Sequence, residues 1–282
     1  MKSKIISMVK YVLQTIVHIS NKTKIGQYLH TEMVNKAMQQ VSDVSHNGLK
    51  LKFSTPTFLN QFRIRTFSSK EPETLEWIDS IPEGAKLWDV GANVGLYSVY
   101  AAKKRNCKVW AFEPSVFNLE LLARNIFLNE VTNQVCIVPL ALSDSLQFSQ
   151  MHMSSTDWGG ALSTFSHDIG WDGKPIHQVF EYQIPGITMV DALNRLEIPQ
   201  PDYIKMDVDG IEHLILQGGL PVIEKVKSVL VEVNDDFQEQ AEKCNSLLCQ
   251  AGLFLKEKRH SEMIDNSKSV FQNTYNQIWM RP

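Results

Sequence analysis

The sequence predicts an α/β fold: a mostly parallel, seven-stranded sheet with helices on both faces, preceded by an N-terminal helical arm. Two observations carry this. From residue 86 onward, short apolar runs alternate with amphipathic stretches, as strand–helix units do. The first such run, Lys86–Val90, passes directly into the glycine-rich turn Gly91-Ala92-Asn93-Val94-Gly95, which opens a helix.

The elements follow in order. Residues 1–70 read as a helix and then short extended segments around Leu49–Phe53 and Phe62–Phe67. In the arm, Ile5, Met8, Val12, Ile16 and Ile19 recur at helical spacing, with Ser7, Tyr11, Gln14 and His18 on a more polar side. Lys2 and Lys4 before this run resemble the start of a secretory leader. Lys10 and Gln14 interrupt the run, no small-residue cleavage site follows, and it is too short to span a bilayer. Its apolar face suits packing within the protein, dimerisation through residues 4–19, or peripheral attachment to an anionic membrane.

Glu71-Pro72-Glu73 opens a helix through Leu75, Trp77 and Ile78, which Pro82-Glu83-Gly84 ends. Strands are expected at Lys86–Val90, Lys108–Phe112, Val135–Ala141, Tyr203–Val208, Val229–Val233, Gly252–Lys256 and Gln277–Met280. Helices fall at Leu96–Lys104 and Val116–Asn129, with a helical turn at Asp191–Arg195. Residues 150–180 break the rhythm. Trp158, Gly159, Gly160, Phe165 and Trp171 mix hinge-like glycines with aromatic faces, suiting either an acceptor wall or lid or a plain surface insertion.

The formal net charge of −3 gives no electrostatic reason to expect a nucleic-acid partner. The charge is uneven: residues 1–52 carry eight lysines against Glu32 and Asp43. Cys107, Cys136, Cys244 and Cys249 form no C-x-x-C pair and read as buried free thiols of a cytoplasmic protein. His152, His167, His177 and His213 lack metal-ligand spacing.

The sharpest motif is Asp89-Val90-Gly91-Ala92-Asn93-Val94-Gly95. Its G-x-x-x-G spacing is not the G-x-G-x-x-G of nicotinamide sites, and no Gly-Lys-Ser/Thr follows as in a P-loop. An acid directly before the glycines suits a ligand with positive charge and would repel pyrophosphate. One strand–helix unit later, Glu113 closes the second strand, where a carboxylate accepts both hydroxyls of a ribose. Together the two acids point to a sulfonium nucleoside, S-adenosylmethionine. Ser115 stands at the N-cap of the next helix, and Asn118 is placed to reach the ribose or to face solvent.

These segments, with Ala111-Phe112-Glu113-Pro114, Ala141-Leu142-Ser143-Asp144, Ile204-Lys205-Met206-Asp207-Val208-Asp209-Gly210-Ile211-Glu212 and Leu230-Val231-Glu232-Val233, resemble the FkbM family of methyltransferases. The resemblance covers about residues 71–280 and implies a Rossmann-like class I methyltransferase domain at 71–282. It implies S-adenosylmethionine-dependent O-methylation of secondary metabolites or sugars. The expected cofactor residues are Asp89, Gly91, Ala92, Asn93, Gly95, Glu113, Pro114, Ser115, Asn118, Ser143 and Asp144. One departure is visible: Asp209 stands where the family usually has Glu, shortening the reach by one methylene.

The second carboxylate cluster supplies the chemistry. Along a strand, Lys205, Asp207 and Asp209 point to one face, at its ligand-binding end. Asp209 and Glu212 also suit helix capping, which leaves Asp207 unexplained. Methyl transfer to an alcohol needs a base as the proton leaves, or a metal that first lowers its pKa. Asp207, Lys205, Asp209 and Glu232 are the candidate catalytic residues. Asp207, Glu232 and Asn234 form an oxygen-rich set suited to Mg²⁺. The competing readings are a non-catalytic scaffold of the same fold, transfer to another acceptor atom, and a nucleic-acid methyltransferase. The last is opposed by the absence of an N/D-P-P-Y/F tetrapeptide and by the acidic catalytic portion.

Overall fold

The computed structural model describes residues 2–260, 262–265 and 270–282; the side chains of Lys2, Ser3, Lys4 and Glu262 lie outside that description. The main sheet has seven strands, numbered here in chain order: β1 (Lys86–Val90), β2 (Lys108–Phe112), β3 (Val135–Val138), β4 (Tyr203–Met206), β5 (Ser228–Asn234), β6 (Phe254–Arg259) and β7 (Thr274–Met280). Their spatial order is 6-7-5-4-1-2-3. β3, β2, β1, β4 and β5 are parallel, whereas β7 runs antiparallel between β5 and β6. The chain winds outward through β1, β2 and β3, then returns to lay β4 on the other side of β1. That reversal opens a crevice at the carboxyl ends of β1 and β4.

Strand alternation explains why the sheet is covered on both faces. Trp88 and Val90 of β1 join Phe112, Ile204, Met206 and Val231 in one core; Leu87 joins Val109, Ala111 and Leu230 in the other. Each such side chain stabilises the fold by about 1.5–3 kcal/mol on burial. Trp88 is fully enclosed, so Trp88→Ala would cost about 3–5 kcal/mol.

Several elements differ from expectation. Phe62–Phe67 is not extended: a helix spans Phe58–Arg65. Thr57 caps it by accepting the Asn60 N–H, and Asn60 and Ile64, four apart, face inward. The strand expected at Val135–Ala141 ends at Val138, and Ala141–Leu142 joins a separate sheet. That second sheet, in the order Ala141–Leu142, Phe180–Ile187, Gln147–Met153, Thr164–Phe165, gives the irregular 150–180 region most of its structure. Cys136 and Cys249 are exposed rather than buried; all four thiols are free. Two helices, Lys2–Ser20 and Lys24–Met38, form the arm, joined to the domain through the hairpin Val41–His46/Leu49–Ser54.

Candidate active site

Two cavities meet at the crevice. The smaller, about 70 Å³, is walled by Phe112–Ser115, Asn118, Leu140–Leu142, Phe165 and Ile211. The larger, about 470 Å³, runs from Gly91–Val94 past Tyr97 to Phe62, Lys70, Glu71, Glu232, Phe271 and Thr274. Gly91, Asn93, Ala161, Asp207 and Asp209 line both.

Gly91 is required by geometry. Its φ is +80°, and a Cβ there would sit 1.8 Å from the Asp207 carbonyl oxygen. Only glycine lets the β1 turn pass this close to the end of β4. Gly95 is likewise left-handed, φ +82°, and a Cβ there would also meet Leu122 of the neighbouring helix at 2.4 Å.

Glu113 stands at the end of β2, almost fully buried. Its two oxygens accept the backbone N–H groups of Asn93 (2.7 Å) and Ser115 (2.8 Å). Burial pushes its pKa up to about 7, although those amide bonds pull the other way. Ser115 occupies the N-cap position, but its side chain makes no capping bond. Pro114, Ser115 and Asn118 line the smaller cavity and Ala92 the larger one. Ser143 and Asp144 line neither: Ser143 donates to Asp144, and its backbone N–H bonds Ile187 in the second sheet.

A strap from the 150–180 region fills part of the crevice. The Gly160 carbonyl accepts from the side-chain amides of Asn93 (2.9 Å) and Asn118 (3.2 Å), and the Gly159 N–H donates back to Asn118 (3.0 Å). Arg63 holds the Gly159 carbonyl at 2.6 Å, and Asn60 that of Trp158 at 3.0 Å. Leu162 donates its N–H to Asp209 at 2.6 Å. Phe165 reaches the smaller cavity, but Trp158 and Trp171 line neither; Trp171 packs on Phe271.

Asp89 lies behind the cavity walls. It lines neither cavity, accepts the Ser98 hydroxyl at 2.5 Å, and faces Lys205 at 3.8 Å. Asp89 and Lys205 are direct cross-strand partners of β1 and β4, which sets both side chains on one face of the sheet. Lys205 is itself enclosed, 3.2 Å from Asp207 and over the Tyr97 ring. Burial alone would pull its pKa down, but Asp207, Asp89 and Glu71 override that and the net direction is up. These three carboxylates therefore favour the ammonium form of Lys205.

β4 ends at Met206, so Asp207 and Asp209 leave the strand and the expected alternation stops there. Asp209 reaches the crevice through a left-handed backbone, φ 61°, which Asp tolerates better than most residues. Burial, then the neighbouring Asp207, pushes Asp209 up to about 7. Glu232 is likewise raised, by burial and by Asp207. Carboxylate oxygens of Asp207, Asp209 and Glu232 lie within 4.8 Å of one another, a set able to hold a cation. Asn234 is not part of it: its amide donates to the Trp171 carbonyl and its oxygen accepts from Asp236. Glu212 is structural, receiving the N–H groups of Val208 and Gly210 and the Gln240 amide. His213 is buried against Phe237 and pushed down to about 4 by desolvation, away from both cavities.

Sequence reasoning missed Arg63, Lys70, Glu71 and Tyr97. Lys70 and Glu71 pair at 2.5 Å on the cavity wall; despite burial, the lysines Lys70 and Lys205 hold Glu71 down at about 2. The adjacent charges Lys70-Glu71 just before Pro72 were the available signal. They also read as an ordinary helix start.

A seven-stranded sheet in this order, with a glycine turn after β1 and a buried acid ending β2, defines a Rossmann-like class I methyltransferase fold. The methyltransferase FkbM domain model matches residues 89–265, and the chain belongs to that family. It is 26% identical over 202 residues to the hexuronic acid methyltransferase AglP of Haloferax volcanii, covering 69% of this chain and 74% of the relative. A 69-residue stretch, 24% of this chain and 27% of the other, is 36% identical to methyltransferase sdnD of Sordaria araneosa. The solved methyltransferase FkbM of Methylobacillus flagellatus KT aligns at 13% identity with a TM-score of 0.48, over 89% of this chain and 58% of that one.

Proposed function

We propose that this methyltransferase uses S-adenosylmethionine to methylate a hydroxyl oxygen of a glycan or secondary metabolite. The observation that carries the reading is the placement of Asp207 and Asp209 on the shared wall of the two cavities. One cavity suits the nucleoside and the other the acceptor. The likeness to a hexuronic acid methyltransferase supports a sugar acceptor.

The residues fit the cofactor by donor chemistry. Glu113 offers buried carboxylate oxygens to a ribose diol, Leu140–Leu142 and Ile211 an apolar slot for a base, and Gly91 a close backbone approach. The smaller cavity's 70 Å³ is well below the roughly 300 Å³ of a small-molecule site. Gly160 walls that cavity, held by the Asn93 and Asn118 amides, so release of those two bonds would widen it.

When bound, S-adenosylmethionine supplies a methyl group on a sulfonium, open to in-line displacement. The chain's own groups do the rest. The Asp207 carboxylate would take the proton of the acceptor hydroxyl, freeing that oxygen for the methyl group the cofactor would supply. Lys205 orients Asp207 through the 3.2 Å contact. Phe62, Tyr97 and Phe271 offer faces on which a sugar ring stacks. Holding oxygen and methyl in line supplies much of the acceleration.

The test is Asp207→Asn. Calorimetry should show cofactor affinity close to that of the parent, and labelled-methyl transfer to candidate glycans should fall by about 10²–10⁴-fold. Parental turnover by the variant refutes the assignment. The carboxylate trio favours a second reading, in which Mg²⁺ at Asp207, Asp209 and Glu232 lowers the hydroxyl pKa. Activity that survives EDTA and ignores added Mg²⁺ removes it.

A further inference from the structure

The two N-terminal helices carry a surface that the methyltransferase site does not use. Between residues 5 and 37 only Gly26 is buried, because a Cβ there would meet the Ser20 carbonyl oxygen at 1.9 Å where the helices turn. On the first helix Ile5, Met8, Val9, Val12, Leu13 and Ile16 are each between 45% and 70% exposed. At about 100° per residue these six fall within an arc of about 140°. Ser7, Gln14 and His18 lie on the opposite side, and Lys10 lies about 60° beyond the Leu13 edge of the arc, on the polar flank. The turn adds exposed Lys22 and Lys24, and no acidic residue occurs before Glu32.

An apolar face of this size in water has a cost that some partner must remove. Pairing with the same helix of a second copy would cover a seam of about two residues in seven, leaving Val9 and Leu13 in water. It would also set lysine against lysine. A lipid surface covers the whole arc at once, and anionic headgroups complement the lysines on its polar flank and at the turn. The described helices include none long and apolar enough to cross a membrane, so the helix would lie in the interface plane.

We infer that the Lys2–Ser20 helix docks the protein on an anionic lipid bilayer. The apolar arc inserts among the acyl chains, and Lys10, Lys22 and Lys24 meet the headgroups. The inference is independent of the methyl acceptor.

The test is sedimentation of the full chain with vesicles of phosphatidylcholine alone, or with roughly one third phosphatidylserine. Binding should be at least about tenfold stronger to the anionic vesicles and should weaken in high salt. Val12→Glu with Ile16→Glu should abolish it, and Lys10→Glu should reduce it by about tenfold. Both variants should retain parental cofactor affinity, which separates lost docking from lost folding. Three results would overturn the inference: no binding to either vesicle, equal binding to both, or a dimer in light scattering that Val12→Glu with Ile16→Glu dissociates.

Discussion

Glu113→Gln tests the ribose-binding role at one atom. The parent carboxylate accepts two backbone N–H groups while burial holds its pKa near 7 rather than at the usual 4.5. Keeping it ionised above pH 7 therefore costs the ligand-free protein about 3 kcal/mol. The sign follows from the protons bound: between pH 4.5 and 7 the folded form holds a proton that the unfolded form has lost, so stability falls as pH rises through that window. Glutamine removes that cost but turns a donor toward either the Asn93 or the Ser115 N–H, a loss of about 1–3 kcal/mol. The two effects nearly cancel, so thermal stability at pH 8 should change little.

Affinity should change much more. Ribose hydroxyls bonded to a charged acceptor contribute about 1.5–3 kcal/mol, so the variant should bind S-adenosylmethionine about 10- to 100-fold more weakly at pH 8. The parent should itself weaken about tenfold from pH 8 to pH 6, where roughly a tenth of the carboxylate is ionised. Asp209 and Glu212 titrate in the same range, so the variant is the needed control. Calorimetry at pH 6, 7 and 8 on both proteins measures this. Parental affinity in the variant, or the same pH slope in both proteins, refutes the reasoning.

Other outcomes follow from the same geometry. Gly91→Ala forces a left-handed alanine against the Asp207 carbonyl and should lower stability by roughly 1–3 kcal/mol in denaturant titration, with loss of cofactor binding. Arg63→Ala with Asn60→Ala removes the side-chain bonds to Gly159 and Trp158; stopped-flow should show faster cofactor association, and an unchanged rate would mean the strap is no barrier. Asp89→Asn should leave the cavity walls intact yet unsettle Lys205, lowering turnover more than cofactor affinity. A loss confined to affinity would return Asp89 to the ligand.

The strand-and-helix plan and the glycine turn were legible along the chain because they depend on neighbours a few residues apart. Lys86–Val90 and Lys108–Phe112 are apolar runs with punctuated ends, and both fall where expected. Glu113 was legible too, as the residue closing a strand. The distant pairings were not. Asp89 reads as a ligand acid until β1 and β4 come into register and set Lys205 opposite it. Asn234 reads as a metal ligand until the Trp171 carbonyl and the Asp236 N–H engage it. Lys70 and Glu71 look like a helix start, and only the fold brings them within reach of Lys205 and Asp207.

By itself, then, the sequence determined the class of fold, the glycine turn after β1 and the acid at the end of β2, all products of local pattern. The tertiary structure alone decided which carboxylates share a wall, which are neutralised by buried lysines, and that Gly159 and Gly160 occupy the crevice. The reason is physical: a side chain's charge, partners and access depend on groups a hundred residues away, and chain spacing carries no record of them.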